Sequence, residues 1–508
     1  MLVHEFLTRS ARRLPEKVAL VCGERRLTYG ELDSMANRLA RALAEGGVER
    51  GDRVALHLHN TVEAVVGIFA VLKAGGVFVP VNASTKPDKL AYILNNCRAR
   101  ALLIEARNLE AMNAWDTVPS LALAVICGSK GEAGDVADAR IRTFEAIQAE
   151  GPAAELPVHH IDLDLACLIY TSGSTGEPKG VMCDHSNVDF ASSSILSYLE
   201  GREDDVVLSV LPLSFDYGLY QLLMAFKIGA TLVLERTFMY PNLILQRIQE
   251  ERPTGFPGVP TVFAMLLQKD LSQYDLSSLR YLTNTAAALS PSRILDIQAA
   301  FPGATLYSMY GLTETKRTLY LPPDQLATRA GSVGIPIPGT EAWIEDEAGQ
   351  RLGPGETGEL VVRGRHVMRG YWESPEATAQ RFRPGPLPGE RLCYSGDLFK
   401  MDEEGYFYFI SRKDDIIKCR GEKVAPKEVE NVLQMLPGVT AVVVGVPDAT
   451  AGEVVKAFIV PNGAALTEAQ VIAHCRAHLE DFMVPKFVEF RTELPLTSSG
   501  KISKLGLR

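Results

Sequence analysis

The sequence predicts an α/β protein with a large N-terminal domain of parallel-rich sheets covered by helices. That domain carries a small β-barrel-like unit and is followed by a small α+β C-terminal domain. Three observations predict it. Short apolar runs alternate with helix-spaced segments through most of the chain, the pattern of parallel sheet with covering helices. From Gly331 the texture becomes short runs punctuated by Gly and Pro. At 508 residues the chain exceeds the size at which one core stops growing, so at least two domains are expected.

In LTYGELDSMANRLARALAEGG, apolar residues at helical spacing run from Glu31 to a Gly46-Gly47 stop. DRVALHL reads as a strand, VEAVVGIFAVLKAGG as a helix and VFVPV as a strand. LACLIY reads as a buried strand leading into a polar loop. The alternation resumes at VVLSVLPL, LYQLLMAFKIGA and TLVLE, and again at SLRYLTNT, SPSRILDIQAAF and TLYSMY. GSVGIPIPGTEAWIEDEAGQRLGPGETGELVVRG suits a compact β unit. Near FISRKDDIIK the chain passes to EVENVLQML, AVVVGV and VKAFIVP, a helix and strands of their own. The expected domains are therefore 1–413 and 414–508. No internal repeat or low-complexity tract interrupts them.

Composition narrows the function classes. A net charge of −10 and a pI near 5.6 disfavour a nucleic-acid partner. The eight cysteines include no CxxC pair and read as reduced thiols of a cytoplasmic protein. The nine histidines form no HExxH-type cluster and none is assigned to a metal. MLVHEFLTRSARRLPEK has no apolar core of a leader peptide, and Glu63 and Lys73 interrupt the apolar stretch over 61–81 too soon for a membrane span.

The loop TSGSTGEPKG, over 171–180, carries the first chemistry. Glycines let backbone N–H groups approach an anion, and hydroxyls and a lysine donate to phosphate oxygens. It is not a Walker A motif, because Pro178 replaces the second glycine and Gly180 follows the lysine; nor is it a GxSxG elbow, because Thr175 follows Ser174. A flexible surface loop is the competing reading.

Four further motifs follow in order: YGLTE at 310–314, YSGDL at 394–398, SRKDDIIKCRGEKVAPKEVE at 411–430 and LPLTSSGKISK at 494–504. Together with the loop they closely resemble the AMP-forming adenylating superfamily over nearly the whole chain. That group contains acyl- and aryl-CoA synthetases, adenylation domains of nonribosomal peptide synthetases, and luciferases. The resemblance implies activation of a carboxylic acid by ATP as an acyl-adenylate with release of pyrophosphate, then acyl transfer to a thiol.

By the same resemblance, Thr171, Ser172, Gly173, Ser174, Thr175, Gly176 and Lys179 match the loop that handles the β- and γ-phosphates. Tyr310 matches an aromatic near adenine, Thr313 a phosphate contact, and Glu314 the Mg²⁺ ligand. Asp397 matches the ribose carboxylate, Arg412 a further nucleotide contact, Asp414 the interdomain hinge, and Gly421 the face presented to the thiol. Lys501 matches the lysine that bridges the α-phosphate and the acid. Each role has a physical reason, since a carboxylate attacking a phosphate needs positive charge where negative charge gathers. Taken singly, Asp397 reads as a turn cap, Glu314 as a solvated side chain and Lys501 as a tail lysine.

The acid is less legible. LSFDYGLYQLL puts Asp216 where amino-acid-activating relatives keep an aspartate for the substrate amine, with Tyr217, Tyr220, Met309, Arg317 and Thr318 around it and Ala287 within one wall. Against this, YGLTETKR and GEKVAPKEVE look more like acyl-CoA synthetases. Asp216 pairing with Arg317 is the alternative, because a buried lone ion is costly. Two tyrosines favour a small, aryl or short acyl acid. Arg508 comes soon after the Lys501 motif, so the expected acceptor is a separate molecule, either CoA or a carrier protein. A non-catalytic ATP-binding relative and a luciferase-like oxygenase are the remaining readings, the first opposed by the presence of Glu314 and Lys501.

Overall fold

The computed structural model describes residues 1–108, 117–128, 140–171, 177–285, 289, 291–329, 331–419, 422–448, 452–461, 463, 466–496, 502–504 and 506–507. Their strands form three sheets. The first has seven strands in the order Ile141–Thr143, Leu123–Cys127, Ala99–Glu105, Arg53–Leu58, Val77–Asn82, Leu165–Thr171 and Lys179–Asp184. All pairings are parallel except the last, an antiparallel hairpin.

The second sheet has 14 strands. Its parallel part runs Thr305–Tyr310, Tyr281–Asn284, Gly255–Gly258, Val206–Ser209, Thr231–Leu234 and Val18–Cys22. Beyond Thr305–Tyr310 it turns antiparallel through Leu319–Leu321, Ser332–Pro336, Phe407–Arg412, Arg391–Met401, Thr357–Gly364 and Thr340–Glu345. The β-rich unit expected from Gly331 is this antiparallel end.

Strand residues alternate between two cores, which is why these strands read as continuous apolar runs. In the second sheet Leu20 and Leu232 face one core while Val21 and Val233 face the other. In the first sheet Val54 and Leu56 share that same central core, and Ala55 points away. Between the two sheets lie the helices Tyr29–Glu45, Val62–Lys73, His185–Leu199 and Asp216–Ile228. Helices Pro241–Glu251 and Pro291–Ala300 cover the outer face of the second sheet, and Pro87–Asn96 that of the first.

Local chemistry sets the helix ends. Thr28 and Glu31 form a reciprocal capping box, so the first expected helix starts at Tyr29 rather than Glu31. In Val62–Lys73, Lys73 is buried against Asp33 at 2.8 Å and Asn37 at 2.8 Å. Among the described residues no helix is long and apolar enough to cross a membrane. All eight cysteines are free thiols, and all but Cys22 are buried.

The third sheet is made by Ile417–Cys419, Glu422–Val424, Val439–Asp448, Gly452–Pro461 and Phe487–Phe490, with helices Pro426–Leu433 and Glu468–His478 on its core. Asp414 lies in the short 3₁₀ turn Lys413–Asp415, between the last strand of the second sheet and the first of the third.

A buried histidine cluster makes stability depend on pH. His160 Nε2 lies 3.3 Å from His4 Nδ1, the His185 ring stacks on His160 at 5.4 Å, and Val3 N–H donates to His185 Nδ1. Burial, and then the neighbouring imidazoles, push His4 and His185 each down to about 3. The folded protein therefore binds fewer protons than the unfolded chain below the ordinary histidine pKa, and stability falls as pH drops through that window toward 3. The expected loss on going from about pH 7 to about pH 5 is roughly 1–2 kcal/mol per histidine. Chemical denaturation at the two pH values measures it. His185→Asn, which keeps an acceptor for Val3 N–H, should flatten the profile; an unchanged slope would remove the cluster from the explanation.

Candidate active site

Strands Leu165–Thr171 and Lys179–Asp184 pair as an antiparallel hairpin, with Thr171 opposite Lys179. Ser172, Gly173, Ser174, Thr175 and Gly176 lie outside the described residues. The outer strand of the hairpin is tied to a distant segment: Met182 N–H donates to Gly370 O, Arg369 N–H to Met182 O, and Trp372 N–H to Gly180 O at 2.7 Å. Those bonds bring Tyr371 under the hairpin. Lys179 Nζ stands 5.7 Å from the centre of its ring.

The Tyr371 hydroxyl donates to Glu314 Oε1 at 2.5 Å. Glu314 follows the tight turn after Tyr310, a turn that requires glycine at 311: a Cβ there would fall 1.8 Å from Lys316 O. Thr318 N–H closes the loop on Tyr310 O at 2.9 Å. Arg381 Nε lies 3.8 Å from Glu314 Oε1. Gly396, at φ +68°, makes room for that guanidinium, since a Cβ would sit 2.5 Å from Arg381 Nη1. Among the described residues no hydrogen bond reaches Glu314 Oε2. Thr313 is half-buried in the same loop.

Asp397 is a second buried carboxylate near this turn, 8% exposed. The Tyr310 hydroxyl donates to its Oδ2 at 2.6 Å, and the ring packs edge-on against Phe399. Arg412 Nε lies 3.4 Å from Oδ1, yet Oδ1 receives no hydrogen bond among the described residues. Burial pushes the Asp397 carboxyl above the ordinary carboxylate range, against the pull of Arg412 and of the Tyr310 hydroxyl. A buried acceptor left open in this way is suited to a ligand hydroxyl.

The acid-side residues fall into two groups. Asp216 is the first residue of its helix, where the helix dipole favours a carboxylate. Its Oδ1 accepts from Lys316 Nζ at 2.7 Å. The alternative of an Asp216–Arg317 pair is thus corrected: the partner is Lys316, a residue not singled out from sequence, whose side chain is fully buried. Its ammonium also lies 5.9 Å from the Tyr220 ring, and the Tyr220 hydroxyl has no hydrogen-bond partner among the described residues.

The second group surrounds Arg317, whose guanidinium lies 4.5 Å over the Tyr217 ring. The Tyr217 hydroxyl donates to Thr283 O at 2.7 Å. Met309 Sδ accepts from the Tyr198 hydroxyl, which sequence reasoning also missed. Thr318 is fully buried and bonded to the Thr315 hydroxyl instead of facing a pocket. Ala287, Gly421 and Lys501 lie outside the described residues.

Three sequence-distant motifs, the hairpin, the 310–314 turn and Asp397, are therefore brought together, and Tyr371 and Arg381 join them. Neither of those two carries a local signal in GYWESPEATAQRF; only tertiary contact reveals them. The arrangement offers charge and hydrogen-bond groups suited to a nucleotide. Among the described residues no cluster of three or more His, Cys, Asp or Glu side chains could hold a metal alone.

Comparison with known proteins gives concordant results. The profile of the AMP-binding enzyme family matches residues 7–372, and that of the AMP-binding enzyme C-terminal domain matches 428–501. A long-chain-fatty-acid–CoA ligase of Bacillus subtilis (strain 168) is 34% identical over 529 residues, covering 98% of this chain and 93% of that protein. A feruloyl-CoA synthase of an Amycolatopsis species is 37% identical over 505 residues, covering 98% and 96%. The crystal structure of the anthranilate CoA ligase AuaEII with anthranoyl-AMP superposes with a TM-score of 0.90 at 29% identity, covering 100% of this chain and 96% of that one.

Proposed function

The chain belongs to the AMP-binding enzyme family, and on that footing we propose that it is an AMP-forming acyl- or aryl-CoA ligase. The observation that carries the reading is the half-satisfied Asp397 carboxylate beside Tyr310, with Glu314 across the same turn. In the first half-reaction a carboxylate oxygen of the acid attacks the α-phosphorus of ATP, the bond to the β-phosphate breaks, and pyrophosphate leaves. In the second, the thiol sulfur of CoA attacks the acyl carbon, the bond to AMP breaks, and the thiol proton passes to solvent.

Each residue has a task in this scheme. Asp397 Oδ1 accepts from the ribose hydroxyls while Tyr310 fixes Oδ2 and lies along the base. Thr171 and Lys179 flank the phosphate loop formed by Ser172, Gly173, Ser174, Thr175 and Gly176, and Thr313 and Arg412 add nucleotide contacts. Glu314, whose Oε2 receives no hydrogen bond among the described residues and whose Oε1 lies 3.8 Å from Arg381, would hold a hard cation such as Mg²⁺. Mg²⁺ held there would supply positive charge against the phosphates. Lys501 meets the α-phosphate and the acid, and Asp414 is the hinge about which the 414–508 unit brings Gly421 toward the thiol.

Lys316 holds Asp216, which speaks against a substrate amine at that carboxylate and so against an amino acid as substrate. This favours the CoA ligase over the second reading, a stand-alone enzyme that loads a separate carrier protein. Buried free thiols suit a cytoplasmic setting.

Pyrophosphate release with ATP and Mg²⁺ across aryl, short acyl, fatty and amino acids, with and without CoA, tests the reading. An acid-dependent signal with a CoA thioester seen by mass spectrometry is the expected result. Asp397→Asn should lower kcat/KM for ATP by about 10- to 100-fold and narrow the preference for ATP over 2′-deoxy-ATP, because a charge-assisted hydrogen bond is lost. No acid-dependent release from any acid would refute the ligase, and release without any CoA thioester would turn the assignment to a carrier protein.

A further inference from the structure

Resting on the ligase reading, we propose that the acid activated by this enzyme carries a second anionic group, and that Arg317 is the residue that binds it.

Arg317 is 3% exposed, yet its guanidinium has no carboxylate within 4 Å among the described residues, and its Nε has no hydrogen-bond partner there. Other buried cations in the protein are matched. Lys316 has Asp216 at 2.7 Å and Lys73 has Asp33 at 2.8 Å. A buried charge without a partner is costly, so proteins that retain one commonly use it on a ligand.

The neighbours do not quench it. The Tyr217 ring lies under the guanidinium at 4.5 Å, an attraction through the face of the cation that leaves its in-plane N–H donors open. The Tyr198 and Tyr217 hydroxyls, both of which feel the Arg317 charge, are committed elsewhere, to Met309 Sδ and to Thr283 O. The adjacent carboxylate, Asp216, is taken by Lys316. The backbone at Lys316 is left-handed, with φ at +58°, and the consecutive Lys316 and Arg317 side chains go to different partners.

Position connects this cation to the reaction. Arg317 sits in the loop between Tyr310 and Thr318 that also carries Glu314, and that loop is closed by the Thr318–Tyr310 backbone bond. Tyr217, Met309 and Tyr198 make an aromatic and thioether wall beside it. A wall of this kind with one fork-shaped cation fits an aryl or short acyl body ending in a carboxylate, which a guanidinium grips through two parallel bonds. The substrate class is therefore a dicarboxylic acid, of which one carboxylate is adenylated and the other stays ionised against Arg317.

The test uses the full chain, ATP, Mg²⁺ and matched pairs of acids: benzoate with isophthalate, butyrate with glutarate, and hexanoate with adipate. Wild type should show a kcat/KM for pyrophosphate release on the order of 10- to 100-fold higher for the diacid of at least one pair. Arg317→Met, which keeps the length of the stem, should abolish that preference by lowering the diacid alone, with KM for ATP unchanged. A readout apart from activity is the melting temperature. Without substrate, Arg317→Met should melt no lower than wild type, and the diacid should raise the melting temperature of wild type only. Preference for the monoacid in every pair would overturn the proposal. So would an equal loss on both members of a pair, which would assign Arg317 to the reacting carboxylate, or a raised KM for ATP, which would assign it to phosphate. If no acid supports pyrophosphate release, the ligase reading itself falls and the substrate class falls with it.

Discussion

Asp216→Ala should lower the folding free energy by about 3–5 kcal/mol, the range for breaking a buried ion pair on one side. The variant leaves the Lys316 ammonium fully buried without its carboxylate 2.7 Å away. Burial pushes Lys316 down; the Asp216 carboxylate, the largest opposing influence, together with Cys183, Tyr220 and Cys167 more than offsets it, so the ammonium stays charged in the native protein. Without Asp216, the protein must either bury a lone charge or deprotonate the lysine, and both cost stability. The helix Asp216–Ile228 also loses the acidic residue of its first turn. Chemical denaturation followed by circular dichroism measures the loss. The double variant Asp216→Leu with Lys316→Met removes both charges at similar volume and should recover most of it, because apolar replacement of a whole buried pair is near neutral. A loss below about 1 kcal/mol in Asp216→Ala would mean that the pair is open to water.

That pair also marks where sequence reasoning stops. Strands such as Val77–Asn82 and Leu165–Thr171 were legible because both faces are buried, which leaves an apolar run in the sequence. Asp397, Glu314 and Tyr310 were legible because they stand in long motifs with a chemical rationale. The TETKR run, by contrast, reads as a solvated polar segment, yet Thr315 and Lys316 lie deep in the core. The direction of a side chain after a left-handed residue is set by the fold, and composition carries no trace of it. Tyr371 and Arg381 illustrate the same limit. They reach Glu314 from a segment more than fifty residues downstream, which backbone bonds tie to the strand Lys179–Asp184.

Glu314→Gln should lower kcat for pyrophosphate release by about 10²- to 10³-fold, the usual effect of removing one preorganised charge from a developing phosphoryl transition state. The substitution isolates charge from packing. A glutamine Oε1 still accepts from the Tyr371 hydroxyl, which now reaches Glu314 Oε1 at 2.5 Å, and the backbone bond from Met368 N–H to the carbonyl of residue 314 is untouched. What the glutamine removes is the negative charge facing Arg381 at 3.8 Å, a separation too long for a strong hydrogen bond, so the melting temperature should change little. If the carboxylate serves the cation, the Mg²⁺ concentration giving half-maximal rate should rise along with the fall in kcat. Transfer of an acyl group from a supplied acyl-adenylate to CoA should be affected far less, since the β- and γ-phosphates have already gone. Full activity with an unchanged Mg²⁺ requirement would reduce Glu314 to an anchor for Tyr371 and Arg381. A fall in both half-reactions together with a lowered melting temperature would point the same way, because a structural anchor acts on every step that needs the site intact.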